Sequence, residues 1–267
     1  MKAGATHTTG PSAAGLVATP LSTACAAVLS RAEHACIGVS PFNSYFSVAR
    51  IRQVAVWACQ RFSRVDFFVP DGPSAYTLEA LGYSPAKAEW KARRQGQYTR
   101  NKIRVALRGV DEGASRTRVL GWAELQGVAA FSRLHAEGHA LYTRDEGFRA
   151  ACREASGWVL AGRLPEGREP DEAQMACAVR YLLAELPLFL DTPAIVEAES
   201  SVFCYHRPPA FLHRLYAREL VRHPGPGQGF AVITPTDVDG TESQGVLVPA
   251  APPLHSADHL TPQPAGL

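Results

Sequence analysis

The chain has 267 residues, 46% apolar and 19% charged, which suffices for one large domain or two small ones around a real core. No apolar stretch approaches the ~20 residues needed to span a bilayer. The early run 13–29 is interrupted by Pro20, Ser22 and Thr23 and has Lys2 as its one early positive charge, so neither a membrane partner nor a secretory signal is expected.

Six cysteines, at positions 25, 36, 59, 152, 177 and 204, form no C-x-x-C pair and lie in apolar contexts. They read as reduced thiols of a cytoplasmic protein, with no metal site and no disulfide frame. The net charge of +2 conceals an asymmetry. Segment 85–110 carries Lys87, Lys91, Arg93, Arg94, Arg100, Lys102, Arg104 and Arg108 against Glu89 alone, eight minus one, or +7. The rest of the chain then carries 19 basic and 24 acidic residues, or −5, so the positive field is concentrated and suits a polyanionic partner.

Residues 1–24 are small, polar and proline-bearing, and 236–267 are rich in Pro, Gly, Ser and Thr. Both are expected to be disordered tails flanking one domain, 25–235. Inside it the apolar run Cys36-Ile37-Gly38-Val39-Ser40 predicts a buried strand over 36–40, stopped by Pro41. Ser40 would emerge at its carboxyl end, the edge where open α/β sheets bind ligands, as a turn residue or as a nucleophile. A helix over 44–62, a strand over 65–69 and a helix over 74–81 follow. This rhythm predicts a mostly parallel, doubly wound α/β sheet.

Ser84-Pro85 is a helix start, a capping candidate before proline at the first helical position, and the helix should run to about 110. Ala88, Ala92, Gly96, Ile103, Ala106, Leu107 and Val110 share one stripe, flanked by two basic ridges. Lys87, Lys91, Arg94 and Lys102 form one; Arg93, Arg100, Arg104 and Arg108 form the other. Such ridges are either a solvated face or a nucleic-acid contact, and without a base-reading motif the contact would be to phosphates and weaken with salt. A strand is expected near 117–122.

A second helix opens at Asp171 and should run to about 190, with Pro187 disturbing its last turns. Tyr181 and Glu185, spaced i, i+4, lie one above the other among small and apolar neighbours. A carboxylate there needs a partner, either a cationic substrate amine or an internal Arg180 or Arg207. Ser201-Val202-Phe203-Cys204-Tyr205 predicts another buried strand, delivering Tyr205 and His206 to a strand terminus as Ser40 is delivered; 230–233 reads as the last strand.

No G-x-G-x-x-G follows the first strand, no P-loop and no H-E-x-x-H occurs, and no G-x-S-x-G surrounds Ser40. No cofactor is expected, and no ATP. A serine hydrolase using His206 or His213 would lack its nucleophile elbow.

Two segments carry a family resemblance. His34-Ala35-Cys36-Ile37-Gly38-Val39-Ser40 resembles the His-x-aliphatic-aliphatic-Gly-aliphatic-Ser signature of cyclodipeptide synthases, departing in Cys36, and Tyr181-Leu182-Leu183-Ala184-Glu185-Leu186-Pro187 matches their Tyr-aliphatic-x-x-Glu-x-Pro signature. The resemblance covers roughly residues 30–235. It implies a Rossmann-like domain similar to the catalytic domain of class I tyrosyl- and tryptophanyl-tRNA synthetases, and synthesis of cyclic dipeptides (2,5-diketopiperazines) from two aminoacyl-tRNAs. It further implies that Ser40 takes the first aminoacyl group, that Glu185 and Tyr181 hold its ammonium, and that Tyr205 moves a proton while Asn43 and His206 orient the reacting groups. The family subdivides partly by the residue following that tyrosine, commonly glutamine where Asn43 is present; His206 departs from it. Gly38 would let substrate approach the strand, and Cys36, Leu188 and Phe203 would line an apolar acyl pocket. A non-catalytic RNA-binding protein of the same fold is the competing reading.

Overall fold

The computed structural model describes residues 15–165 and 167–236. In chain order the elements are β1 (Leu16–Pro20), α1 (Thr23–Arg31), β2 (His34–Gly38), α2 (Val48–Arg61), β3 (Arg64–Phe68), α3 (Ser74–Ala80), α4 (Pro85–Leu107), β4 (Thr117–Leu120), α5 (Trp122–Gln126), α6 (Ala129–Arg144), α7 (Glu146–Ala161), α8 (Glu172–Val196), β5 (Ser201–Tyr205), α9 (Ala210–Tyr216) and β6 (Gln228–Pro235). The strands form a single sheet of order β1-β6-β5-β2-β3-β4. All neighbours are parallel except β1 and β6. The expected doubly wound α/β sheet is therefore present, with an antiparallel edge.

The order explains where a site can form. From β2 the chain steps outward to β3 and β4, then returns to lay β5 on the other side of β2. Connections leave β2 and β5 in opposite directions and open a crevice beyond their carboxyl ends, the switch point at which such sheets bind ligands. Pairing of Cys36 with Phe203 and Ile37 with Cys204 brings Gly38 level with Tyr205.

Side-chain alternation along β2 divides the core. Ala35 and Ile37 join Ile51, Val54 and Trp57 of α2 and Ile103 and Ala106 of α4 on one face. Cys36 joins Phe68, Phe203, Phe230 and the apolar residues of α8 on the other. α8 is long and apolar enough to cross a membrane by length and composition alone, but Leu182, Leu183, Leu186, Leu188, Phe189, Leu190, Ile195 and Val196 are buried in this core.

Several boundaries differ from the sequence reading, each for a local reason. The segment expected to be a disordered tail contains β1 and the start of α1, because Leu16 and Ala18 bury themselves by pairing with β6 and Ser22 caps α1 through Cys25 N. Residues 1–14 and 237–267, also expected to be disordered, lie outside the described residues. β2 begins at His34 and ends at Gly38; one more bond, Val39 N to Phe68 O at 2.9 Å, carries the chain to Ser40. α8 passes through Pro187 and breaks instead at Asp191 (φ −161°, ψ 65°). Groups freed there are satisfied from elsewhere: Gly225 N donates to Leu190 O (2.8 Å) and Thr192 N to Gln228 Oε1 (2.6 Å).

His34, the first residue of the signature, sits at the amino end of β2, ~20 Å of extended chain from Ser40 at ~3.3 Å per residue. Its Nε2 meets Asp66 Oδ2 at 3.1 Å and its Nδ1 meets Ser201 Oγ at 2.7 Å, and Arg118 donates two bonds to Asp66 at 2.8 and 2.7 Å. Burial alone would raise the Asp66 pKa, but the bonds from Arg118 and His34 outweigh it and hold it at about 2. This network ties β2, β3, β4 and β5 together below the site; it is not part of the site.

Candidate active site

The crevice opens into a cavity of about 670 Å³ whose lining includes Gly38, Ser40, Asn43, Tyr181, Glu185, Phe203, Tyr205 and His206. Three stretches of chain far apart in sequence thus converge, two of them because β2 and β5 are neighbours. Ser40 Oγ lies 2.8 Å from Tyr205 Oη, and Asn43 Nδ2 donates to the same hydroxyl at 3.5 Å. The turn that presents Ser40 is fixed by Phe42, whose φ of 62° is left-handed and held by packing against Ala75, Leu78, Ala88 and Ala92. Asn43 Oδ1 accepts from Tyr45 N at 3.0 Å and completes it.

From α8, Tyr181 Oη donates to Glu185 Oε1 at 2.8 Å. Burial pushes the Glu185 carboxyl up to about 7, with the Tyr181 bond pulling the other way. Burial and the nearby Glu185 hold the Tyr181 hydroxyl well above its ordinary range, and burial raises Tyr205 to about 12 against the opposing Ser40 bond. Both tyrosines keep their protons at neutral pH. The internal arginines do not serve Glu185: Arg180 pairs with Glu79 at 3.7 Å, and Arg207 stacks over Trp158. Among the described residues Glu185 has no cationic partner, so it retains its capacity for an ammonium group.

Each remaining residue expected at the site has a definite place. His206 stacks on Tyr45 (ring centroids 4.0 Å apart, 11° between planes), its Nδ1 is buried without a partner, and burial with Arg207 nearby lowers its pKa to about 4. It is a neutral, fixed wall. Gly38 lines the cavity, but the space where a Cβ would stand is taken by Phe203 (3.0 and 3.1 Å) and Tyr205 (3.1 Å), so glycine lets these rings close over β2. Phe203 stacks on Phe230 and meets Phe189 edge-on, forming the aromatic floor. Cys36 and Leu188 do not reach the cavity, contrary to expectation; they are fully buried in the core beside Phe203.

The sequence reading did not find α7. Ala155, Ser156, Trp158 and Val159 form a wall of the cavity. Its signal was the stripe Phe148, Ala151, Cys152 and Ala155 at helical spacing behind the capping Asp145.

α4 ends at Leu107; Ala88, Ala92, Gly96, Ile103 and Ala106 of the expected stripe are buried and Thr99 joins them, while Leu107 is half-buried and Val110 lies beyond the helix. Arg93, Arg94, Arg104 and Arg108 are exposed and have no acidic partner among the described residues. Lys87 and Lys91 lie over the Tyr83 ring, and Lys102 over Tyr98. Arg100 departs from the ridge: only 13% of its side chain is exposed, and it bonds Asp71 Oδ2 at 3.0 Å and Glu124 at 3.0 and 2.8 Å. Asp71 in turn accepts from Trp122 N, so Arg100 anchors the loop after β3 whose Pro70 lines the cavity.

No histidine among the described residues bonds Ser40, and His213 lies exposed on α9, so the serine hydrolase arrangement is not formed.

Comparison with known proteins agrees with this geometry. The family model for cyclodipeptide synthase matches residues 16–235. The cyclo(L-tyrosyl-L-tyrosyl) synthase of Mycobacterium tuberculosis is 35% identical over 230 residues, 86% of this chain and 78% of that one. A solved Mycobacterium tuberculosis structure, described as relating cyclodipeptide synthetases to type I tRNA synthetases, superimposes with a TM-score of 0.77 at 35% identity, covering 85% of this chain and 96% of that one. The cyclodipeptide synthase of Candidatus Glomeribacter gigasporarum, solved bound to Phe-tRNAPhe, shares the fold at a TM-score of 0.53 and 19% identity over 84% of this chain and 92% of that one. With its two signatures converging on one cavity in a class I synthetase-like sheet, this chain belongs to the cyclodipeptide synthase family of tRNA-dependent aminoacyltransferases.

Proposed function

We propose that the protein joins two aminoacyl groups, delivered as aminoacyl-tRNAs, into a cyclic dipeptide through an aminoacyl ester on Ser40. The observation that carries this reading is the 2.8 Å contact of Ser40 with Tyr205, in the same cavity as the cation-free Tyr181–Glu185 pair.

The substrate is an ester already activated, so the protein positions groups and moves protons. Ser40 Oγ attacks the ester carbonyl. Tyr205 accepts the serine proton as it gives its own to the departing ribose oxygen, a relay that suits a hydroxyl still protonated at neutral pH. The aminoacyl group remains on Ser40 as an ester. Its ammonium sits against Glu185, oriented by Tyr181, and the carboxylate raised to about 7 in the empty site is a base able to take the ammonium proton. The freed amine attacks the second aminoacyl-tRNA, forming one amide and releasing the second tRNA. The new amino terminus then attacks the Ser40 ester, forming the second amide and restoring the serine hydroxyl. Asn43 holds Tyr205 in place, and neutral His206 walls the site. Incubation with charged tRNAs should yield a diketopiperazine detectable by mass spectrometry; RNA binding with no cyclic product would favour the non-catalytic reading.

The exposed cations of α4 would hold the tRNA backbone. Reversing Arg93, Arg94, Arg104 and Arg108 to Glu should raise the KM for aminoacyl-tRNA at least ~10-fold and flatten its salt dependence, as each lost phosphate contact removes ~0.7–0.9 from the logarithmic slope. Arg100→Ala should instead cost roughly 2–3 kcal/mol of stability through its carboxylate bonds. Chemical denaturation beside tRNA titration separates these effects; a salt slope unchanged by the four reversals would remove α4 from the interface.

A further inference from the structure

Trp158 is 55% exposed and lines the same cavity as Ser40. The Arg207 guanidinium lies 4.8 Å from its ring centroid. Neither makes a hydrogen bond or ion pair among the described residues. An indole left this open to water beside an unpaired guanidinium matches the surfaces on which unpaired bases stack.

The chemistry at Ser40 fixes what must come to this surface. The carbonyl attacked by Ser40 is esterified to the ribose of the last nucleotide, so that nucleoside lies one ester linkage from Ser40. Phe189, Phe203 and Phe230 close the apolar end, which leaves the exposed side bearing Trp158. Trp90 and Tyr98 of α4 are equally exposed, but neither lines the cavity. We propose that Trp158 and Arg207 form the platform for the terminal adenosine of the aminoacyl-tRNA, the purine stacking on the indole with the guanidinium alongside. This rests on the aminoacyl-tRNA reading above and deepens it. Because every tRNA ends in the same unpaired adenosine, such a platform recognises a common feature of tRNAs that differ elsewhere.

The test compares acylation by an aminoacyl-tRNA with acylation by the cyanomethyl ester of the same amino acid, which carries no nucleotide. Trp158→Ala should lower kcat/KM for the tRNA substrate ~10–100-fold, mainly through KM, the range expected for loss of one stacked base. Because Trp158 also walls the cavity, acylation by the cyanomethyl ester should fall no more than ~3-fold, far less than acylation by tRNA; an unchanged thermal melt reports an intact fold, and Trp158→Phe should recover most of the loss on tRNA. Replacing the terminal adenosine by cytidine should weaken the wild-type protein but leave Trp158→Ala indifferent. An equal loss on both substrates, no loss on tRNA, or a full terminal-nucleotide effect persisting in Trp158→Ala would overturn the platform while leaving the reaction at Ser40 standing. A wild-type protein acylated by neither substrate would overturn both.

Discussion

Ser40→Ala is expected to lower cyclic dipeptide formation by at least ~10³-fold while leaving tRNA binding and stability nearly unchanged, because in the proposed reaction the hydroxyl carries the acyl chain between the two peptide bonds. The methyl that replaces it fits the site without a clash. Ser40 lies beyond β2 in a turn set by Phe42 and Asn43, so removing its oxygen costs the hydrogen bond to Tyr205 and a weaker interaction with the Tyr181 hydroxyl. Tyr205 would still receive the bond from Asn43. A rate only a few-fold slower would mean that the amine of one aminoacyl-tRNA attacks the other directly, and that Ser40 merely orients Tyr205. Steady-state kinetics on one charged tRNA pair, with binding measured beside it, distinguishes these outcomes.

Glu185→Gln should cost at least ~10²-fold in kcat/KM, and its effect on pH dependence identifies the cause. In the empty site the carboxyl titrates at about 7, so wild-type kcat/KM should rise with pH through that region as the carboxylate proposed to bind the ammonium forms. Glutamine has no such limb, and the variant profile should be flat there. Stability should move the other way. Below pH 4.5, the ordinary value, the carboxyl holds its proton whether the chain is folded or unfolded, and the two proteins should be equally stable. Between there and about 7 the unfolded chain loses its proton while the folded one keeps it, so wild-type stability falls as pH rises. At pH 8 the glutamine protein should be more stable by up to about 3 kcal/mol, at ~1.4 kcal/mol per pH unit. A variant that loses activity and stability together would make Glu185 a packing residue.

Much of this site is legible in the sequence because its parts are short-range patterns. The strand Ser201–Tyr205 is bounded by its own apolar run, α4 starts at the Ser84-Pro85 signal, and Tyr181 and Glu185 share a face by spacing alone. What fails depends on distant partners. β1 forms because β6, more than 200 residues on, supplies the ladder for a five-residue segment. Arg100 is indistinguishable in spacing from Arg93 and Arg104, and only Asp71 and Glu124, from other elements, withdraw it from solvent. Cys36 and Leu188 share a core cluster with Phe189, Phe203 and Phe230, but of these five it is the three phenylalanines that line the cavity, a difference of depth that spacing does not encode.

The proposed reaction needs a site that excludes water from a reactive ester yet admits a macromolecular substrate. Ser40, Glu185 and the two tyrosines lie against buried aromatic and aliphatic walls, whereas Trp158 and Arg207 are at solvent. On the proposed reaction, the aminoacyl ester is held among apolar side chains while the nucleic acid stays outside.

The most direct test of the account is to mix the protein with one charged tRNA, quench within seconds, digest, and locate any added acyl mass by peptide mass spectrometry. One aminoacyl group, as an alkali-labile ester, is expected on the peptide carrying Ser40. An acyl group on another residue, or full turnover to cyclic dipeptide with no covalent species at any quench time, would contradict it.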